Sequence, residues 1–164
     1  MRELEVFFDY SCPYCYKGHY ILKDLLKEFA DIKVIWRPVE AHPRPERYGK
    51  HSDLAIAAYK HASENGADAD LFHEKMYDAF HKDGVNVEDA DELSRYMEGV
   101  VDVMGLKKSL LTGENLSFVN ESNNYAYDKS DVWIVPAYRM EGRRLDVKED
   151  VGVNEEMLRE FLSA

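Results

Sequence analysis

Leu4-Glu5-Val6-Phe7-Phe8-Asp9-Tyr10-Ser11-Cys12-Pro13-Tyr14-Cys15-Tyr16-Lys17-Gly18 is the stretch on which the reading of this chain turns. Its apolar start, Leu4 to Phe8, has the composition of a buried strand. It runs straight into Cys-Pro-Tyr-Cys, which holds the only two cysteines of the sequence. Pro13 suits the first position of a helix, because its fixed φ matches and its missing N–H would have had no partner there. Cys12 then stands at the helix N-terminus, where unpaired amides and the positive end of the dipole favour a thiolate. Cys15 falls one turn inside on the same face, near enough to close a small disulfide ring. The spacing therefore makes Cys12 the nucleophile and Cys15 the resolving thiol of a redox pair. A thiol so placed ionises roughly one to five units below about 8.5. Lys17 would favour the thiolate, Asp9 would oppose it if its carboxylate approaches, and Tyr14 adds no charge.

Two other readings of the cysteines compete. Cys-x-x-Cys is half of a zinc site, and although no second cysteine pair completes a tetrahedron, His19 follows Cys15 at helical spacing and leaves a mixed Cys/His site open. Two inert buried cysteines is the weaker reading, since strand-to-helix junctions at the end of a sheet are exposed and functional places.

The 164 residues, 45% hydrophobic and 32% charged, fit one compact unit or one fold carrying an insertion. No repeat, low-complexity tract or membrane-length apolar span interrupts them. Met1-Arg2-Glu3-Leu4-Glu5 reaches a strand without a hydrophobic leader, so the expected location is cytoplasmic. In a reducing compartment a cysteine pair is catalytic or metal-bound more often than structural. The net charge of −11 argues against a nucleic-acid groove or an anionic membrane as partner.

Outward from the cysteines, Ile21, Leu22, Leu25, Leu26 and Phe29 recur at helical steps and predict a helix from Pro13 to about Phe29. Ile32–Trp36 predicts a second strand, parallel to the first across a tight βαβ link. Pro38, Pro43 and Pro45 then break the pattern into a loop. The basic residues Arg44, Arg47 and Lys50 beside it read as solvated surface rather than an anion site. From Asp53 to about Tyr127 the pattern is helical, with stripes at Leu54/Ala57/Ala58/His61, Leu71/Met76/Tyr77/Phe80 and Leu93/Tyr96/Met97/Val100/Val101/Met104. His61, His73 and His81 read as structural or exposed. Asp131–Met140 returns to strand composition, Glu141-Gly142 makes a tight turn, and Arg143–Val147 pairs back. Asn154 caps a last helix over Glu155–Leu162. Pro136 marks either an edge or bulge, or a cis Val135–Pro136 bond beside Cys12 that leaves Val135 backbone groups for an extended substrate. Local sequence leaves both open.

With Asp9-Tyr10-Ser11-Cys12-Pro13-Tyr14-Cys15-Tyr16-Lys17-Gly18, Phe72 to Gly84 and Val135-Pro136-Ala137-Tyr138 in this order, the chain resembles the DsbA branch of the thioredoxin-like superfamily. Within it, the similarity is greatest to the FrnE-like and 2-hydroxychromene-2-carboxylate isomerase-like group. The resemblance implies an α/β thioredoxin fold, a mixed β-sheet flanked by helices, with an inserted all-helical domain. The thioredoxin-like part would be residues 1–45 and 115–164, the insertion 46–114. It implies Cys12 as attacking thiolate, Cys15 as resolving thiol, Pro136 as the cis-proline facing them, and Pro13, Tyr14, Val135 and Pro136 as substrate contacts. Three features depart from the pattern: Val6 stands where a buried acid is common, Pro13-Tyr14 is the pair familiar from glutaredoxins, and the insertion is short.

The expected function is thiol–disulfide exchange through a mixed disulfide with a disulfide-containing protein or a low-molecular-weight thiol. No tightly bound cofactor or metal is expected, with glutathione a candidate co-substrate. The alternatives are a glutathione-dependent isomerase or transferase, whose relatives generally carry serine at the Cys12 position, and a redox-responsive binding protein or chaperone using an apolar groove near Tyr10, Tyr14 and Val135.

Overall fold

A computed structural model describes residues 1–47 and 49–164. Its centre is β1 (Arg2–Phe8), which is buried on both faces and therefore reads as a nearly continuous apolar run. Leu4, Val6 and Phe8 join the main core, while Phe7 packs on the other face with Val39, Ala126, Val132 and Ala137. The helix α1 (Pro13–Leu25) returns the chain to β2 (Ile32–Pro38), parallel to β1 from Arg2↔Ile32 to Phe8↔Pro38. Helices α2 (Asp53–Glu64), α3 (Ala69–His81), α4 (Ala90–Tyr96), α5 (Val103–Thr112) and α6 (Leu116–Asn124) follow, the last running on as a π-helical turn over Tyr125–Lys129. Strands β3 (Ala137–Met140) and β4 (Arg143–Asp146) then complete a four-stranded sheet in the order β2-β1-β3-β4, with β3 antiparallel to both of its neighbours. The terminal helix is α7 (Glu155–Ser163). This is the mixed α/β sheet with helices inserted between its parallel and antiparallel halves that the sequence predicts.

Asp68, Asp89, Asp102 and Asn154 each accept a backbone amide at the start of α3, α4, α5 and α7. They satisfy donors that would otherwise have no partner. The core does not stop at the boundary between sheet and inserted helices. Phe8 and Tyr10 pack edge-on at 5.1 Å, and Tyr10 meets Tyr77 at 5.3 Å. The inserted α3 is thereby fixed against the end of β1, where the cysteines begin.

Three boundaries differ from the sequence reading. Helix α1 stops at Leu25 rather than about Phe29, and Leu26 to Phe29 close a tighter turn while Phe29 still packs on the core. Strand β2 continues to Pro38, which is tolerated because β2 is a sheet edge. The strand expected from Asp131 begins only at Ala137. Asp131 takes φ 53°, and the Val132 amide bonds Ala126 O at 2.9 Å instead of a ladder partner. Val132 is apolar because it packs under Phe7, so its composition mimics a strand.

Candidate active site

The site is built where β1 hands over to α1. Asp9, Tyr10 and Ser11 make the turn, with Asp9 tied to the loop after β2 and to Ser52, Tyr10 tied to α3, and Ser11 held by Asp9. The Asp9 side chain is almost wholly buried. Its carboxylate accepts the Ser11 amide at 2.9 Å, the Ala41 amide at 2.8 Å and the Ser52 hydroxyl. Its carbonyl accepts the Cys12 amide at 3.0 Å. The Tyr10 ring is fully buried, its hydroxyl 2.8 Å from His73 Nδ1, and its carbonyl lies 2.8 Å from His81 Nε2. Two histidines of α3 thus hold the residue that precedes the redox loop. They are structural, as the sequence suggests, and they serve the site. Tyr10, expected to border an apolar groove, is core instead, because its ring fills the space between Phe8, Phe72, Tyr77 and Phe80.

Cys12 is the N-cap of α1, with φ −88° and ψ 117°, and Pro13 occupies the first turn, which holds no acidic residue. The Cys12 sulfur accepts the Cys15 amide at 3.4 Å and thus takes the part an N-cap oxygen usually plays. The two cysteines stand 3.3 Å apart, both as free thiols. Their environments differ. Cys12 is partly exposed and Cys15 is 2% exposed. The Cys12 thiol is held below its ordinary pKa first by hydrogen bonding from the Cys15 thiol, then by the Cys15 and Tyr14 amides. Burial and the Asp9 charge oppose this without cancelling it. The Cys15 thiol is pushed well up, first by burial and then by the neighbouring Cys12. Lys17, expected to assist, is exposed. Asp9 opposes as expected, but weakly, because its charge is already met by three donors.

The Val135–Pro136 bond is cis, and Val135 O lies 3.8 Å from Cys12 Sγ. Pro136 is buried, 3.7 Å from the point where a Cβ on Gly18 would stand. Pro13, Tyr14 and Val135 border an open groove of about 740 Å³ over Cys12. Pro136 does not. It borders a small cavity behind Cys15 together with Val6, His19, Tyr77 and Tyr138.

The groove also contains Glu46, Trp133, Ile134, Glu149 and Asp150, which the sequence reading assigned to no site, and it draws in Phe80, His81 and Lys50, which that reading gave to core, structure and solvated surface. Trp133 is 68% exposed and Ile134 39%. Their place immediately before Val135-Pro136 is the available signal, hidden by reading 131–140 as strand. Gly152 was missed as well. It has φ +75°, and a Cβ there would meet Tyr14 Cδ1 at 2.9 Å, so only glycine lets Tyr14 lie against this loop.

Among the described residues, no group of three ligand atoms brings Cys12 or Cys15 together with a histidine. His19 uses Nε2 to pair with Glu74, 3.1 Å from Oε2. Among the described residues, one group offers three ligand atoms within 4.8 Å, His19 with Asp70 and Glu74, and it includes neither cysteine. Lys23 already neutralises Glu74, at 3.1 and 3.0 Å from its two oxygens. Two residues of the basic patch bond protein partners, Arg44 with Asp53 and Glu88 and Lys50 with Val85 O, and Arg47 is exposed. No helix among the described residues is long and apolar enough to cross a membrane.

Comparison with known proteins gives a consistent picture. Residues 3–143 match the model of the DSBA-like thioredoxin domain family. The uncharacterized protein YwbO of Bacillus subtilis is 23% identical, over 82% of this chain and 84% of that one. A probable DsbA oxidoreductase from Streptomyces coelicolor superposes with a TM-score of 0.83 at 14% identity, covering 99% of this chain and 89% of its own. Oxidised BdbD from Bacillus subtilis superposes with a TM-score of 0.76 at 18% identity, covering 99% and 85%. At these identities the structural likeness is one of fold.

Proposed function

The chain belongs to the DSBA-like thioredoxin domain family, and from that premise we propose that it catalyses thiol–disulfide exchange through Cys12 and Cys15. The observation that carries the proposal is the asymmetry of the two thiols. One is partly exposed, with its pKa lowered at a helix N-terminus; the other is buried, with its pKa raised, at contact distance. A nucleophile needs the first environment and a thiol that waits for the mixed disulfide needs the second. The Cys12 thiolate attacks a substrate disulfide, forming Cys12–S–S–R and releasing one thiolate. Cys15 then attacks the Cys12 sulfur, forming the Cys12–Cys15 disulfide and releasing the second. The substrate disulfide is reduced by two electrons and the dithiol is oxidised by two. The reverse sequence oxidises a dithiol.

An extended protein segment suits the groove better than glutathione does. Trp133, Ile134 and Phe80 offer apolar contact, and Val135 presents backbone next to the reactive sulfur. Glu46, Glu149 and Asp150 outnumber Lys50 around it, which disfavours a small anionic thiol. Glutathione then acts as a co-substrate that resets the pair rather than as the molecule selected. No tightly bound cofactor takes part. The cysteine at position 12, in place of serine, sets the reading apart from glutathione-dependent isomerisation.

The test is disulfide reduction by the wild-type protein, Cys12→Ser and Cys15→Ser. Activity is expected only with both cysteines, and full activity in Cys12→Ser would end the proposal. Titrating the pair against glutathione then gives its direction: about −200 to −230 mV is glutaredoxin-like, roughly −120 mV DsbA-like and about −270 mV thioredoxin-like.

A further inference from the structure

The resolving step of this proposed exchange requires a proton to leave a buried thiol, and Val6 removes the carboxyl that the family resemblance would place near it. The small cavity behind Cys15, about 10 Å³, admits at most one water. Val6, Phe8, Leu22 and Trp36 give it apolar walls with no carboxyl. The polar side chains that border it are Cys15, His19, Tyr77 and Tyr138.

Elimination leaves one acceptor. Tyr77 and Tyr138 are fully buried, and their ionisation is opposed first by burial and then by the cysteines, so their hydroxyls stay neutral. His73, behind them, accepts from or donates to the Tyr10 hydroxyl through Nδ1 and is held neutral by burial. The Asp9 carboxylate is occupied by two amides and a hydroxyl. His19 remains. It lies four residues beyond Cys15 on α1, one turn along the same face, and is 5% exposed. Its Nε2 faces Glu74 Oε2 at 3.1 Å. A carboxylate only accepts, so Nε2 carries the hydrogen and the lone pair of the neutral ring sits on Nδ1. Glu74 is partly exposed and bonded to Lys23, so the ring is linked to solvent on its far side.

We propose that His19 is the general base for Cys15, held in the required tautomer by Glu74 acting as a positioning residue. When Cys15 attacks the Cys12 sulfur of a mixed disulfide, the S–H proton passes to His19 Nδ1, directly or across the single water the cavity admits. The Cys15–Cys12 bond forms, the Cys12–substrate bond breaks, and the electron pair leaves with the substrate thiolate. The imidazolium, paired with Glu74, returns its proton to solvent. In the opposite direction it protonates Cys15 as that thiol leaves. The titratable groups around the ring are Tyr20 and Lys23 on α1, Asp70, His73, Glu74 and Tyr77 on α3, and Tyr138 across the cavity on β3.

The test uses the reduced full chain and 5,5′-dithiobis(2-nitrobenzoate) in a stopped-flow experiment. Attack by Cys12 releases one chromophoric thiolate, and resolution by Cys15 releases the second. His19→Gln keeps a donor for Glu74 but removes the base. The first release is expected to stay within about twofold of wild type, and the second to slow about 100-fold or more near neutral pH. That deficit should shrink by about tenfold per pH unit as Cys15 comes to ionise unaided. A purely structural role would slow both phases and leave the deficit independent of pH. A second phase within about threefold of wild type at every pH overturns the inference. If His19→Gln fails to fold and loses the first phase, Glu74→Gln decides. Its second phase should slow by about tenfold or more, and an unchanged one overturns the inference. Absence of the first phase in the wild-type protein would instead defeat the exchange activity on which this rests.

Discussion

The backbone amide of Cys15 points at the sulfur of Cys12 across 3.4 Å, so the helix that buries one thiol also solvates the other. The same turn makes a nucleophile and a resolving group, because the amide end of α1 is open at Cys12 and sealed by the core at Cys15. In the proposed mechanism, Cys15→Ser keeps this amide and should therefore keep the attack by Cys12. Incubated with a disulfide-bearing protein, it should accumulate a stable mixed disulfide on Cys12, visible by non-reducing electrophoresis and mass spectrometry. Cys12→Ser should accumulate none.

Asp9 both holds the loop and opposes the thiolate. Asp9→Asn removes the negative charge, so the Cys12 pKa should fall further, while one of the three hydrogen bonds to the side chain loses its acceptor. A donor left unsatisfied in the interior costs about 1–3 kcal/mol. Urea denaturation and thiolate absorbance at varied pH read the two effects separately. A rise in the Cys12 pKa would contradict this placement of the charge.

His73 should govern acid stability. It is buried and neutral, with a folded pKa well below its ordinary value of 6.5, so below that value the unfolded chain binds a proton that the native state does not. Stability then rises with pH through this window and is lost on acidification, by about 1.4 kcal/mol for each pH unit below 6.5 until the folded pKa is reached. Comparison of urea midpoints between about pH 7 and pH 5 should show this slope in the wild-type protein and its reduction in His73→Gln. Equal slopes would show that His73 does not carry the effect.

Gly152 should be sensitive although it lies outside the redox loop. Alanine there must adopt φ +75° and press on Tyr14. A non-glycine residue in that region costs about 1–3 kcal/mol, and the displaced Tyr14 should weaken exchange with a protein substrate more than with a small disulfide. Unchanged stability and unchanged substrate preference in Gly152→Ala would remove Tyr14 from the groove.

Much of this was legible in the chain because it rests on strong local signals. Pro13 sets the start of α1, the apolar run of β1 marks the sheet centre, and Asn154 announces α7. What was not legible depends on tertiary placement. Val132 looked like a strand residue because burial under Phe7 selects the same side chain that a ladder would. Trp133 and Ile134 were hidden with it, although their exposure makes them the apolar lip of the groove. The binding-protein alternative puts Tyr10 beside an apolar groove, yet a tyrosine between Asp9 and Ser11 gives no hint that α3 will close over it. The partnership of His19 with Glu74 joins residues 55 positions apart, and no periodicity within α1 reports a carboxylate on another helix.

The most direct measurement of the central claim is the pH dependence of alkylation by iodoacetamide, resolved by peptide mass spectrometry for each cysteine of the reduced protein. Cys12 should be modified with a midpoint below the ordinary thiol value of about 8.5, while Cys15 stays unreactive until the pH is well above it. Equal rates at the two cysteines, or a Cys12 midpoint at or above about 8.5, would contradict the asymmetry of the two thiols.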